Sequence, residues 1–229
     1  MEKILSNKIP ITRYLINLSE CLHLGDSIFS HQDNCYYLTN YCHIENRGGH
    51  RYLRPSKCSK FVLKQGYHLF YNYQWTYGYH GTNSESVKSI IQYGLKKPES
   101  LFAGDKKIQP VHGSEYGAGI YTSKIPLYSQ LYAPAIKWND KYFQTILMLR
   151  QKSDSIDTQT GEGTYTSSML GFTDLHKLYK GKISSDEMQY VCFDENSIIL
   201  HALLVKVHDN HPEHYGGEYY KVREILNNS

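Results

Sequence analysis

Two short runs in this chain bring together residue types that recognise a flat, polar ligand. Tyr79-His80-Gly81-Thr82 lies just ahead of a helix signal, and Gly117-Ala118-Gly119-Ile120-Tyr121-Thr122-Ser123 follows further along. A histidine offers one ring nitrogen as donor and the other as acceptor, and a tyrosine offers a ring face with a hydroxyl at its edge. A glycine bares its backbone N–H and C=O to close approach. A histidine beside a glycine is, taken alone, an ordinary turn residue. The weight rests on the two runs together, and on Ser129 and Tyr132, which follow the second run.

These residues need elements that hold them. Asn83 or Ser84 is an N-cap, Val87, Ile90 and Ile91 recur at helical spacing, and Gly94 stands just past the end, so a helix is expected over about 84–93. His80-Gly81-Thr82 then falls at a strand-to-helix junction, where unpaired backbone amides are available to a ligand. Gly117 and Gly119 lead into a short strand at Ile120–Thr122, and Ser123–Ala135 reads as a helix with Pro126 near its first turn and Pro134 near its end. Phe143–Leu149, Tyr190–Phe193 and Ile198–Val207 are apolar runs of strand length, the last two separated by the turn Asp194-Glu195-Asn196. Residues 150–189 hold a long stretch rich in Ser, Thr, Gly and charge, and residues 1–70 read as mixed and loop-rich. Short strands mixed with few helices, without regular βαβ spacing, indicate an α+β fold. A G-x-G-x-x-G run is absent, because Thr122 occupies the third glycine position after Gly117 and Gly119, so a Rossmann site has no support.

Bulk properties exclude more than they select. With 229 residues the chain can bury a core without disulfide staples. With 25 Lys+Arg against 22 Asp+Glu, a net charge of +3 diagnoses neither a nucleic-acid nor a membrane-surface protein. The basic cluster Arg47, Arg51, Arg54, Lys57 and Lys60 reads as a solvated loop. Five cysteines, odd in number and without a C-x-x-C pair, indicate a reducing compartment, and no metal site is expected from the crowding of His31, Cys35, Cys42, His43, His50 and Cys58. Lys8, Pro10 and Arg13 interrupt the N-terminal apolar residues, so a Sec-type signal is not expected, nor is a membrane span. Tyrosine is abundant, at 22 residues against 7 Phe and 2 Trp, which suits half-buried surfaces and clefts.

From about residue 76 to 207 the chain resembles the catalytic domain of the poly-ADP-ribose polymerase branch of the ADP-ribosyltransferases. His80-Gly81-Thr82 is similar to the family's His-Gly-Ser/Thr element, and Gly119-Ile120-Tyr121 to its Gly-Ile-Tyr strand. Ser129 and Tyr132 stand eight and eleven residues after Tyr121, where the family has a serine and a tyrosine. The resemblance implies an ADP-ribosyltransferase fold, two mainly antiparallel sheets flanking an NAD cleft, with an N-terminal region 1–70 packed on a catalytic domain 71–229. It also implies that NAD is bound as a substrate, without a metal. Tyr121 and Tyr132 would stack on the nicotinamide, Gly81 and Ser129 would hydrogen-bond its carboxamide, His80 would bond the adenosine ribose, and Thr82 would add a contact.

One position departs from the pattern. Asp194 and Leu203-Leu204 fix the register of the last two strands, and that register puts Gln189 where the polymerases carry their catalytic glutamate. A glutamine can still bond a ribose hydroxyl, but it cannot steady a cation by charge or act as a general base. Glu187, two residues earlier, is the candidate for a replacement carboxylate. Transfer of a single ADP-ribose to an acceptor, a protein in the first instance with nucleic acid left open, is therefore expected from a monomer. The expected location is the cytoplasm, or a host cell reached by a Sec-independent route. Two alternatives are a catalytically inactive NAD- or ADP-ribose-binding relative and an RNA 2′-phosphotransferase, whose family shares a His-Gly-Thr run.

Overall fold

The computed structural model describes residues 20, 22–38, 43–65, 74–98, 100–102, 106–107, 117–159 and 189–212. Within them the chain forms β1 (Phe29–Tyr37), β2 (Ile44–Arg47), β3 (His50–Leu53), β4 (Cys58–Leu63), β5 (Trp75–Gly81), α1 (Ser84–Tyr93), β6 (Leu101–Phe102), β7 (Lys106–Lys107), β8 (Ile120–Ser123), α2 (Pro126–Gln130), β9 (Ile136–Trp138), β10 (Lys141–Lys152), β11 (Asp157–Gln159), β12 (Gln189–Cys192) and β13 (Ile198–His208). Nine strands make one sheet in the order β1-β4-β13-β10-β5-β8-β12-β11, with β9 folded back on β10. Every pairing described is antiparallel, and the fold is α+β.

The two expected sheets are thus continuous here, but the junction is thin. β10 pairs with β5 over seven residue pairs, from Ile146↔Gly81 to Lys152↔Trp75, whereas β5 meets β8 at the single pair Tyr79↔Ser123. Beyond that pair the strands part, because after Ser123 the chain turns: the Ser123 hydroxyl accepts the Ile125 N–H at 3.0 Å, which closes the strand and opens α2.

Alternation decides which side chains share a face. Phe61 and Leu63 of β4, Phe143, Leu147 and Leu149 of β10, and Leu200, Leu203 and Val205 of β13 bury against Val87, with Ile90 and Ile91 of α1 packed alongside. Their neighbours Val62, Ile146, Met148, Ala202 and Leu204 bury on the other face with Tyr77, Tyr79, Tyr52 and Ala133. Covered on both sides, β10 is buried without interruption from Phe143 to Gln151. One polar residue in that run stitches it to β8. Gln151 Nε2 donates to Thr122 Oγ1 at 2.9 Å, crossing β5 at Gly78, where a Cβ would collide with the Gln151 amide.

Residues before 70 carry more strand than their loop-like composition suggests. β1 and β4 extend the main sheet at its β13 edge, and β2 and β3 form a hairpin through Gly48-Gly49, both at positive φ. That hairpin is tied to the sheet: the Tyr79 hydroxyl donates to the Leu53 carbonyl at 2.7 Å, and the Leu53 N–H donates to the Lys124 carbonyl at 2.9 Å. Part of the basic cluster is engaged there too. Arg47 donates to the Trp75 carbonyl at 3.1 Å and lies over the Tyr77 ring, and Arg54 lies over Tyr37. Among the described residues no helix is long and apolar enough to cross a membrane, and no group of three His, Cys, Asp or Glu is placed to hold a metal ion.

Candidate functional site

α1 forms as its sequence signals require. The Asn83 side chain accepts the Ser86 N–H at 2.8 Å, Glu85 lies in the first turn, and the Gly94 N–H donates to the Ile90 carbonyl with Gly94 at φ 78°. His80 and Gly81 therefore end β5, and the partly buried Thr82 leads into the cap. After α1, Lys96, the Lys97 N–H and Ser100 all bond Glu195 at 2.9, 2.8 and 2.6 Å, anchoring the segment beside the turn between β12 and β13.

The second helix is shorter than expected. It runs only from Pro126 to Gln130, because Ser123 belongs to β8 and Ile125 is extended at φ −112° and ψ 111°. A side chain ties down its end and the turn after it: Gln144 Nε2 donates to the Gln130 carbonyl at 3.0 Å and to the Ala133 carbonyl at 2.7 Å. Pro134 bars Ala133 from continuing the helix. Ser129 is consequently buried in a short helix and Tyr132 lies in the turn that follows.

This turn brings distant residues together. A Cβ added at Gly81 would run into the Ser129 carbonyl oxygen and stand 2.9 Å from Tyr132 Cβ, so Gly81, Ser129 and Tyr132 pack backbone to backbone. The Tyr132 ring lies 5.8 Å from that of Tyr128 at 48°, which makes Tyr128, itself buried, a support that no motif flagged. Across the seam, His80 Nδ1 lies 2.8 Å from the Tyr121 carbonyl. A carbonyl only accepts, so Nδ1 carries the proton and Nε2 keeps its lone pair. Burial holds the His80 pKa below the ordinary histidine value, against the opposing effect of that bond, and the ring is neutral at pH 7.

Gln189 opens β12 directly opposite Ser123, and Val191 stands opposite Tyr121. Their neighbours Ile120, Tyr190 and Cys192 bury in the core under α1. Tyr121, Ser123 and Gln189 therefore face the other way, toward the side shared with Tyr79 and Gly81. Gln189 is buried, and its Oε1 has no hydrogen-bond partner among the described residues. Glu187 lies outside the described residues. Tyr121 is half-buried, with its hydroxyl donating to the Gly117 carbonyl at 2.9 Å.

Motif reading gave no role to Gln144 and Tyr128, which support the turn that carries Ser129 and Tyr132. The available signal was weak: Gln144 and Gln151 are polar residues inside an otherwise apolar strand run. No protein-family model matches the chain, and no curated protein matches it either.

Proposed function

We propose that the chain is an NAD-dependent mono-ADP-ribosyltransferase with the ADP-ribosyltransferase fold, its nicotinamide pocket bounded by Gly81, Ser129, Tyr132 and Tyr121. The observation that carries this reading is the close packing of Gly81 on Ser129 and Tyr132. Those residues resemble one family's carboxamide-binding and stacking positions, and nothing in their sequence separation obliges them to meet.

The chemistry follows from what each group offers. The Gly81 backbone and the Ser129 hydroxyl bond the carboxamide, and the tyrosine rings stack on the pyridinium. His80 Nε2, left as an acceptor, takes a ribose hydroxyl proton into a hydrogen bond, and Thr82 adds a hydroxyl at the start of α1. Gln189 Oε1 is a buried acceptor without a partner among the described residues, a lack that costs about 1–3 kcal/mol and that a ribose hydroxyl would satisfy. The bond from the ribose anomeric carbon to the nicotinamide nitrogen then breaks, its electron pair leaving with neutral nicotinamide. The acceptor's nucleophilic atom bonds the anomeric carbon and its proton passes to solvent. Position and electrostatics supply the rate. Without a carboxylate at position 189, ADP-ribose chains are not extended, and Glu187 is the candidate to supply one. The acceptor is a protein side chain in a reducing compartment, the cytoplasm or a host cell.

A second reading, an NAD-binding protein without transferase activity, is favoured by the uncharged Gln189. Labelled NAD incubated with cell lysate separates the two. Label transfer lost in His80→Ala and Tyr121→Ala supports the transferase, and loss in Glu187→Ala alone moves the catalytic role there. Transfer that survives these changes and Gln189→Ala would sink the site assignment. NAD-dependent thermal stabilisation without nicotinamide release would favour the binding protein.

A further inference from the structure

Phe193 follows β12 directly and is 44% exposed, one of the few large apolar side chains that the described residues leave in water. Its ring covers the glycines ahead of β8. A Cβ at Gly117 would stand 3.4 Å from Phe193 Cε1, and one at Gly119 would stand 3.2 Å from the same atom and collide with Val191. Gly117 is held at φ 99°, a conformation open to glycine, and its carbonyl accepts the Gly119 N–H and the Tyr121 hydroxyl, both at 2.9 Å. A chain of contacts therefore runs from Phe193 through the Gly117 turn to the Tyr121 hydroxyl.

We propose that Phe193 is a positioning residue for Tyr121: its ring holds the Gly117 turn, and the Gly117 carbonyl aims the Tyr121 ring by its hydroxyl. The side chain is exposed because its partner is a patch of glycine backbone at the mouth of the site rather than the core. The effect on Tyr121 is a property of the free protein. The effect on NAD rests on the function proposed above.

The test places 3-fluorotyrosine at position 121 alone and follows its fluorine resonance, then measures NAD affinity in a double-mutant cycle. Phe193→Ala should shift and broaden the resonance, and Phe193→Leu, which keeps an apolar cover, should restore it. In the Tyr121 background Phe193→Ala should weaken NAD binding about fivefold, the worth of one neutral hydrogen bond. In a Tyr121→Phe background, where the hydroxyl is already gone, the same change should have an effect below about twofold. An unchanged fluorine resonance in Phe193→Ala would overturn the proposal, and so would equal losses of NAD affinity in both backgrounds. A wild-type protein that binds no NAD would instead overturn the functional reading, with the fluorine measurement still deciding the role of Phe193.

Discussion

Gly81→Ala tests the packing that the site depends on. The added methyl meets the Ser129 carbonyl oxygen and Tyr132 Cβ, both parts of the backbone or next to it, so no flexible side-chain tip can swing away. Either α2 retreats, against the two bonds from Gln144 to the Gln130 and Ala133 carbonyls, or β5 shifts against its pairing with Ile146. Overpacking of a site that cannot yield costs about 1–3 kcal/mol, and the rigidity here puts Gly81→Ala toward the upper end. For a domain of this size that lowers Tm by roughly 5–10 °C. The matched control is Gly25→Ala, where the new Cβ would stand 3.7 Å from Ser27 Oγ in ordinary contact, and stability should change by less than about 0.5 kcal/mol. Urea denaturation gives both values. Because the retreat opens the pocket, Gly81→Ala should also lose NAD-dependent stabilisation. A Gly81→Ala protein as stable as the Gly25→Ala control would refute the close approach of Gly81 to Ser129 and Tyr132.

Three further outcomes are expected. Gly78→Ala should cost about 1–3 kcal/mol, because the methyl displaces the Gln151 amide from Thr122, and in a double-mutant cycle most of that cost should vanish when Gly78→Ala is made in a Gln151→Ala background. Asn83→Ala should destabilise by about 1 kcal/mol through the lost cap on Ser86, while Asn83→Ser retains most of it. His80 is held below its ordinary pKa of 6.5 in the fold, so the unfolded chain binds the extra proton first as pH falls. Stability should therefore decline below pH 6.5 and level off once the folded His80 is also protonated. His80→Gln should flatten that part of the denaturation profile.

The local elements were legible wherever capping and periodicity agree. α1 begins and ends at the residues that Asn83 and Gly94 mark, and β10, β12 and β13 grow from the apolar runs, though Phe193 falls outside its strand. Ser123–Ala135 was not legible as it folds, since its second half is shaped by a side chain from another strand: Gln144 bonds the Gln130 carbonyl, for which Pro134 has no N–H to offer, and the Ala133 carbonyl. Of the N-terminal strands, β1 and β4 were hidden because their partners are distant. β4 is a strand by virtue of β13, and the β2–β3 hairpin is held by Tyr79, Lys124 and Trp75. Of the site, the residue types and their spacing were legible in the sequence, and so was the glutamine at position 189. What spacing could not supply was the seam between β5 and β8, where a single residue pair joins the strand of His80 and Gly81 to that of Tyr121.

The most direct measurement is nicotinamide release from NAD by the purified protein, with and without an acceptor-bearing lysate, beside Tyr121→Ala. NAD should raise the Tm of the wild-type protein, and nicotinamide should appear in step with label on the acceptor. Both should be lost in Tyr121→Ala at a temperature where urea denaturation shows that variant still folded. A wild-type protein that neither binds NAD nor releases nicotinamide would contradict the account.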